Sequence, residues 1–137
     1  MIQQTLTTDK GRGFYPVTQL LNDIIRDHQI DNGLCHVFIQ HTSASLLITE
    51  NADPQVLNDL ESYMQRLVID GDRHFTHTLE GPDDMAAHIR STLTQTQLTL
   101  PVVNSSLALG TWQGVFVWEH RYKPHTRRLI IQLTREV

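Results

Sequence analysis

The sequence predicts an α+β fold of antiparallel strands with about three helices, and three observations carry that reading. Val17, Leu20, Leu21, Ile24, Ile25 and His28 recur at the spacing of one helical face. Residues 34–42 alternate instead with a period of two, as a half-buried strand does. After residue 96, runs rich in Val, Ile, Leu, Thr, Phe and Trp are broken by Asn104-Ser105, Gly110 and Lys123-Pro124, the pattern of consecutive antiparallel strands.

In order, residues 2–8 (IQQTLTT) read as a first strand followed by a turn at Gly11 and Gly13. The first helix follows, with Pro16 suited to its first turn and Gly33 beyond its end; His28 closes its apolar stripe near the C-terminus, a place that favours a capping or core-edge role. In LCHVFIQHT (34–42), alternation puts Cys35, Val37, Ile39 and His41 on one face, so His41 ends a core-facing row. After the Ser43-Ala44 break, Leu46, Ile48 and Glu50 line one face of another strand and place Glu50 at the end of a buried row. Asp53-Pro54 is an N-cap with proline at the first helical position, and Leu57, Leu60, Met64 and Leu67 keep helical spacing to about Asp70. Residues 71–82 are loop chemistry, and Pro82 opens a third helix through Met85, Ala86, Ile89 and Leu93. Residues 97–103, 107–109, 113–121 and 127–134 are the closing strands.

A chain of 137 residues fits one domain spanning 1–137, able to bury a core without staples. Its 11 basic residues are scattered and the net charge is -4, which argues against nucleic acid as a partner. The single cysteine, Cys35, excludes an internal disulfide or thiolate cluster and is read as a small buried hydrophobe. No run is long enough to span a membrane and MIQQTLTTDKGRG has no leader pattern, so the cytoplasm is the simplest location. Histidine, with 8 residues, is the unusual component, and it is both the commonest metal ligand and the natural acid or base near neutral pH.

Four stretches carry chemistry. HTSASLLITENADP (41–54) crowds a histidine, hydroxyls and carboxylates around an apolar core and reads as the floor of a site. It lacks a nucleophile elbow, so Thr42, Ser43 and Ser45 are read as anion binders rather than as a hydrolase serine and its neighbours. His77, Glu80, Asp84 and His88 form the second stretch, with Asp84 and His88 four apart on one helical face; a divalent-metal site and a solvated surface pair both fit that spacing. The third is the glycine-flanked turn Gly110-Thr111-Trp112-Gln113-Gly114, whose Thr111 and Gln113 offer donors to a ligand, although a tight hairpin with a packed tryptophan explains the residues better. The fourth is Glu119-His120-Arg121, where alternation aligns Glu119 with Val115 and Val117, and His120 with Phe116 and Trp118; a strand end emerging into solvent would look the same. His36, His74 and His125 show no partner pattern.

Taken together, residues 41–54, the His77…Glu80-Gly81…Asp84…His88-Ile89-Arg90 segment and LGTWQGVFVWEHR (109–121) resemble the YjbQ family, whose members are also described as secondary thiamine-phosphate synthases. The resemblance implies an antiparallel β-sandwich with the helices outside, assembled as a homotrimer with sites near subunit interfaces. It implies a site built from His41, His77, His88 and Glu119 or their neighbours, with a divalent ion such as magnesium or zinc held by His77, Asp84 and His88. It also implies a weak transferase activity that joins hydroxymethylpyrimidine diphosphate to thiazole phosphate with release of pyrophosphate. In that reading His41, His88 and Glu119 are catalytic, while Thr42, Ser43, Ser45, Arg90, Thr111, Gln113 and Arg121 bind the phosphorylated substrate. Two other readings are a metal-dependent hydrolase of a small phosphorylated or cyclic metabolite and a non-catalytic trimer that binds a metabolite or metal. The chain is too short for the (β/α)₈ barrel of dedicated thiamine-phosphate synthases.

Overall fold

The computed structural model describes residues 1–137. The order is β1 (Ile2–Thr7), β2 (Gly13–Pro16), α1 (Thr18–Asp27), β3 (Gly33–Ile39), β4 (Ala44–Glu50), α2 (Pro54–Leu67), α3 (Asp84–Leu93), β5 (Gln97–Val103), β6 (Ser106–Leu107), β7 (Gln113–Glu119) and β8 (Thr126–Arg135). The strands form two antiparallel sheets, β1-β8-β3-β5-β6 and β2-β7-β4. This is the α+β sandwich with three helices that the sequence and the resemblance predict.

The two sheets enclose the main core. Cys35, Val37 and Ile39 of β3, Leu129 and Ile131 of β8 and Leu98 and Leu100 of β5 face Leu46 of β4 and Val115 and Val117 of β7, and Leu21, Ile24 and Ile25 of α1 join the same cluster. The small sheet is covered on its other face as well. There Trp118 packs with Met64, Val68 and Ala86, bringing α2 and α3 onto the sheet. That second layer explains why six of the seven residues of β7 are buried and read as an unbroken apolar run rather than an alternating one.

Three expectations need correction here. Residues 13–16 form β2, paired with β7 from Gly13 opposite Glu119 to Pro16 opposite Phe116; no alternation marks so short a segment, and Pro16 ends this strand rather than opening α1. Glu50 is half-buried, its carboxylate is without a hydrogen bond or ion pair, and the buried part of β4 is confined to Ala44, Ser45 and Leu46. His41 lies two residues beyond the end of β3 and is half-buried rather than core-facing. The α2 N-cap is as expected: Asp53 Oδ1 accepts from the Gln55 N–H at 2.9 Å and Pro54 occupies the first turn. His28 caps α1 through Nδ1, 2.9 Å from the Ile24 carbonyl.

Candidate functional site

The loop between α2 and α3 and the first two turns of α3 bring a histidine-carboxylate cluster together. The Gly71 N–H donates to the Pro82 carbonyl at 2.8 Å, which closes residues 71–82 into a compact loop beside the start of α3. That loop supplies His77 and Glu80, and α3 supplies Asp84 and, one turn on, His88. The four side chains each offer a ligand atom, and those atoms all lie within 4.8 Å of one another. Asp84 is the pivot. Its Oδ2 is 2.7 Å from His77 Nε2 and 3.0 Å from His88 Nε2, while its Oδ1 accepts from Arg121 Nη1 at 2.7 Å. Burial alone would raise the Asp84 pKa, but the hydrogen bonds and the charges of His88 and Arg121 outweigh it and hold the group below the usual carboxylate range. As an acid in the first turn of α3, it is also favoured by the helix dipole.

The tautomer of His88 makes the cluster unusual. Its Nδ1 is 2.9 Å from the Thr42 carbonyl, which can only accept, so Nδ1 carries a proton. In the neutral ring Nε2 then presents a lone pair to the Asp84 carboxylate oxygen 3.0 Å away. Two lone pairs at that distance repel unless a second ring proton or a cation lies between them. Fixing one imidazole nitrogen on a carbonyl so that the other is free is also how proteins orient a metal-binding histidine.

On the other side of His88 opens a cavity of about 490 Å³ lined by His41, Thr42, His88, Ser91, Thr92 and Thr96. All six side chains are polar, and none is an arginine or lysine. His41 is held here by the Arg128 N–H, which donates to its Nε2 at 2.7 Å. Burial lowers the His41 pKa, with Arg127 and Arg128 adding to the effect, so the neutral ring keeps its proton on Nδ1. His88 is the residue common to both: it belongs to the cluster with His77 and Asp84 and lines the cavity with His41 and Thr42.

The other expected site residues lie elsewhere. Ser43 and Ser45 point inward: Ser43 Oγ accepts from Arg127 Nη2 at 2.9 Å, and Ser45 Oγ is 2.8 Å from His120 Nε2, both within the buried interior. They make no anion cradle. Arg90, fully buried, donates to Glu61 Oε2 at 2.8 Å and does not reach the cavity. Glu119, also fully buried, has all four acceptor positions filled by Thr8, by Nε and Nη2 of Arg127 and by the Arg121 N–H. Burial pushes its pKa up, but these donors prevail and hold it down, so it is an internal anion with no acceptor position left open. Arg121 is present but engaged, donating through Nε to Asp83 at 3.0 Å, through Nη1 to Asp84 and through Nη2 to the Glu80 carbonyl at 2.9 Å. Thr111 and Gln113 sit at the opposite end of β7 from Glu119, roughly 20 Å away for a seven-residue strand. Gln113 Oε1 accepts from the Gly110 N–H at 2.8 Å, and the Gln113 N–H donates to the Gly110 carbonyl at 3.1 Å; the tight hairpin expected here is instead a self-capped turn joining β6 of one sheet to β7 of the other.

Sequence reasoning missed Arg127 and the role of His120. Arg127 falls in register with Leu129 and Ile131 on a buried row, a signal that was there to read. His120, aligned with Phe116 and Trp118, is buried too.

Over residues 2–136 the chain matches the family described as "UPF0047 protein YjbQ-like". The chain belongs to the YjbQ-like UPF0047 family. It is 43% identical to the UPF0047 protein YjbQ of Escherichia coli O157:H7 over 136 residues, 98% of either chain. It is 48% identical to the UPF0047 protein sll1880 of Synechocystis sp. over 128 residues, 93% of this chain and 87% of that one. Among solved structures, an uncharacterised YjbQ/UPF0047-family protein of Clostridium acetobutylicum superposes with a TM-score of 0.88 at 28% identity, covering 98% of this chain and 100% of that one. The conserved hypothetical protein TT1486 of Thermus thermophilus does so with 0.87 at 30% identity and the same coverage.

Proposed function

We propose that His77, Asp84 and His88, with Glu80 alongside, hold a divalent cation at the rim of the cavity, and that the chain is an enzyme acting there on a small phosphorylated metabolite. The observation that carries this reading is the His88 ring. Its Nδ1–H on the Thr42 carbonyl leaves Nε2 facing the Asp84 carboxylate with nothing but a proton or a cation to reconcile them. Two imidazoles and a carboxylate suit zinc better than magnesium, which prefers oxygen ligands. Once bound, such an ion would neutralise phosphate charge and polarise its oxygens. Arg121 acts as a positioning residue, fixing Asp84 Oδ1 so that Oδ2 faces the two rings.

For the reaction, the family resemblance favours a transferase that joins hydroxymethylpyrimidine diphosphate to thiazole phosphate. The thiazole nitrogen forms a bond to the pyrimidine methylene carbon as the carbon–oxygen bond to the diphosphate breaks, and pyrophosphate leaves with the electron pair. This chemistry asks for orientation of two substrates and stabilisation of an anion rather than for a nucleophile. The hydroxyls of Thr42, Thr92 and Thr96 and the Nδ1–H of neutral His41 would orient the heterocycles. Because His41 Nε2 already accepts from the backbone, we assign that ring a hydrogen-bonding role rather than the part of a charged acid.

A second reading has its own support. Three protein ligands with an open position is the arrangement metalloenzymes use to activate water, which favours hydrolysis of a phosphorylated metabolite. Incubating the zinc-loaded chain with both heterocycles, and separately with single phosphate esters, separates the two. Product that forms only when both heterocycles are present, and is lost in His88→Ala, supports the transferase; turnover of a single ester supports the hydrolase. We further propose that the chain works in the cytoplasm as a homotrimer, using the outer face of the five-stranded sheet, where Leu34, Phe38 and Val103 are exposed and no helix covers them.

A further inference from the structure

Apart from the cation proposed at its rim, the cavity has no arginine or lysine in its lining for the anion it is proposed to receive. His41, Thr42, His88, Ser91, Thr92 and Thr96 supply hydroxyls and imidazoles, while Arg90, Arg121 and Arg127 are bound to Glu61, to Asp83 and Asp84, and to Glu119. Arg128 is different. Alternation along β8 turns Arg127 inward and Arg128 outward, and the exposed guanidinium of Arg128 makes no hydrogen bond or ion pair within the chain. Its backbone, by contrast, is fastened to the cavity rim: the Arg128 N–H donates to His41 Nε2 at 2.7 Å, and the Arg128 carbonyl accepts from the Gln40 N–H at 3.1 Å. The charge of Arg128 is also felt at the His41 ring, where it helps to keep the imidazole neutral.

We propose that Arg128 is the anion anchor of this site: fixed to the rim through His41 and Gln40, its free guanidinium grips a phosphate of the ligand seated in the cavity. The proposal rests on the reading of the cavity as a phosphorylated-metabolite site. A planar fork of donors on a rigid base suits a phosphate oxygen pair, and the fold leaves this fork without an internal carboxylate to compete. His41 then has two tasks, lining the cavity and holding the anchoring residue in register.

The test is calorimetric titration of inorganic phosphate into the full-length chain, loaded with zinc and dialysed free of excess metal, with zinc content read separately by elemental analysis. Arg128→Gln is expected to weaken phosphate binding by about tenfold or more, with zinc content and melting temperature unchanged. Arg128→Lys should recover part of the loss. Arg73→Gln, which removes the exposed arginine of the 71–82 loop, should leave binding as in the wild type. Unchanged affinity in Arg128→Gln, or an equal loss in Arg73→Gln, overturns the anchor while leaving the zinc reading intact. Phosphate binding that depends on Arg128 in a chain that takes up no zinc supports the anchor and overturns the cation. A zinc-loaded wild type that binds no phosphate overturns the anchor.

Discussion

Asp84 is the residue on which the site turns, and its support is internal: Arg121 holds one oxygen at 2.7 Å while two imidazoles meet the other. Replacing Arg121 with Gln should leave the fold in place and lower zinc affinity by about 10- to 100-fold, the usual effect of removing a group that orients a metal ligand; competition with a chelating dye would read it. At His120 the prediction concerns pH. The ring is fully buried and its pKa lies well below the ordinary value, through burial first and then the charges of Arg90, Arg12 and Arg127. A histidine with a depressed native pKa binds fewer protons folded than unfolded, so the stability it contributes is present above the unfolded-state pKa and is lost as pH falls below it. Melting temperatures measured from pH 7.5 down to pH 5 should drop in the wild type and drop less in His120→Gln. A parallel pair of curves would remove His120 as the cause.

At the scale of elements, β7 and the loop after it organise the molecule. One end of β7 is set by the Gly110–Gln113 turn; the other delivers Glu119 into the interior and Arg121 to Asp83 and Asp84. The internal pair of Glu119 and Arg127 ties β7 to β8 and to Ser43 before β4. Breaking it through Arg127→Met leaves a buried carboxylate without its counterion and should cost about 3–5 kcal/mol, read by urea denaturation. Asp53→Ala, which removes only the α2 N-cap, should cost about 1 kcal/mol by the same measurement. The cap was legible in the sequence because capping is local: side chain, acceptor and proline are neighbours. The four-residue spacing of Asp84 and His88 was legible for the same reason. The destinations of Ser43, Ser45 and Arg90 were not. Their partners, Arg127, His120 and Glu61, lie 84, 75 and 29 residues away. The buried part of β4 is covered on both faces, so polarity along it cannot say which hydroxyls meet a ligand.

For the whole molecule, the three-stranded sheet lies between the five-stranded sheet on one face and α2 and α3 on the other, while the outer face of the larger sheet is bare. Alternation located that outer row, but no single chain can show what covers it. Phe38, 46% exposed near the end of the central strand β3, stands opposite Ile130 of β8 and Gln97 of β5 on that face. For the trimer proposed through this face, light scattering should find the wild type as a trimer and Phe38→Glu as a monomer whose circular dichroism stays native; a wild type that is already monomeric would remove the proposal. No helix of the molecule is long and apolar enough to cross a bilayer.

The central claim is that His77, Asp84 and His88 form a cation site. Its most direct test is titration of zinc into chelator-stripped protein, with Asp84→Asn and His88→Ala alongside. One zinc per chain in the wild type, lost or greatly weakened in both variants while both remain folded, is the predicted result. A wild type that binds no zinc, or variants that bind it as well as the wild type does, would contradict the claim.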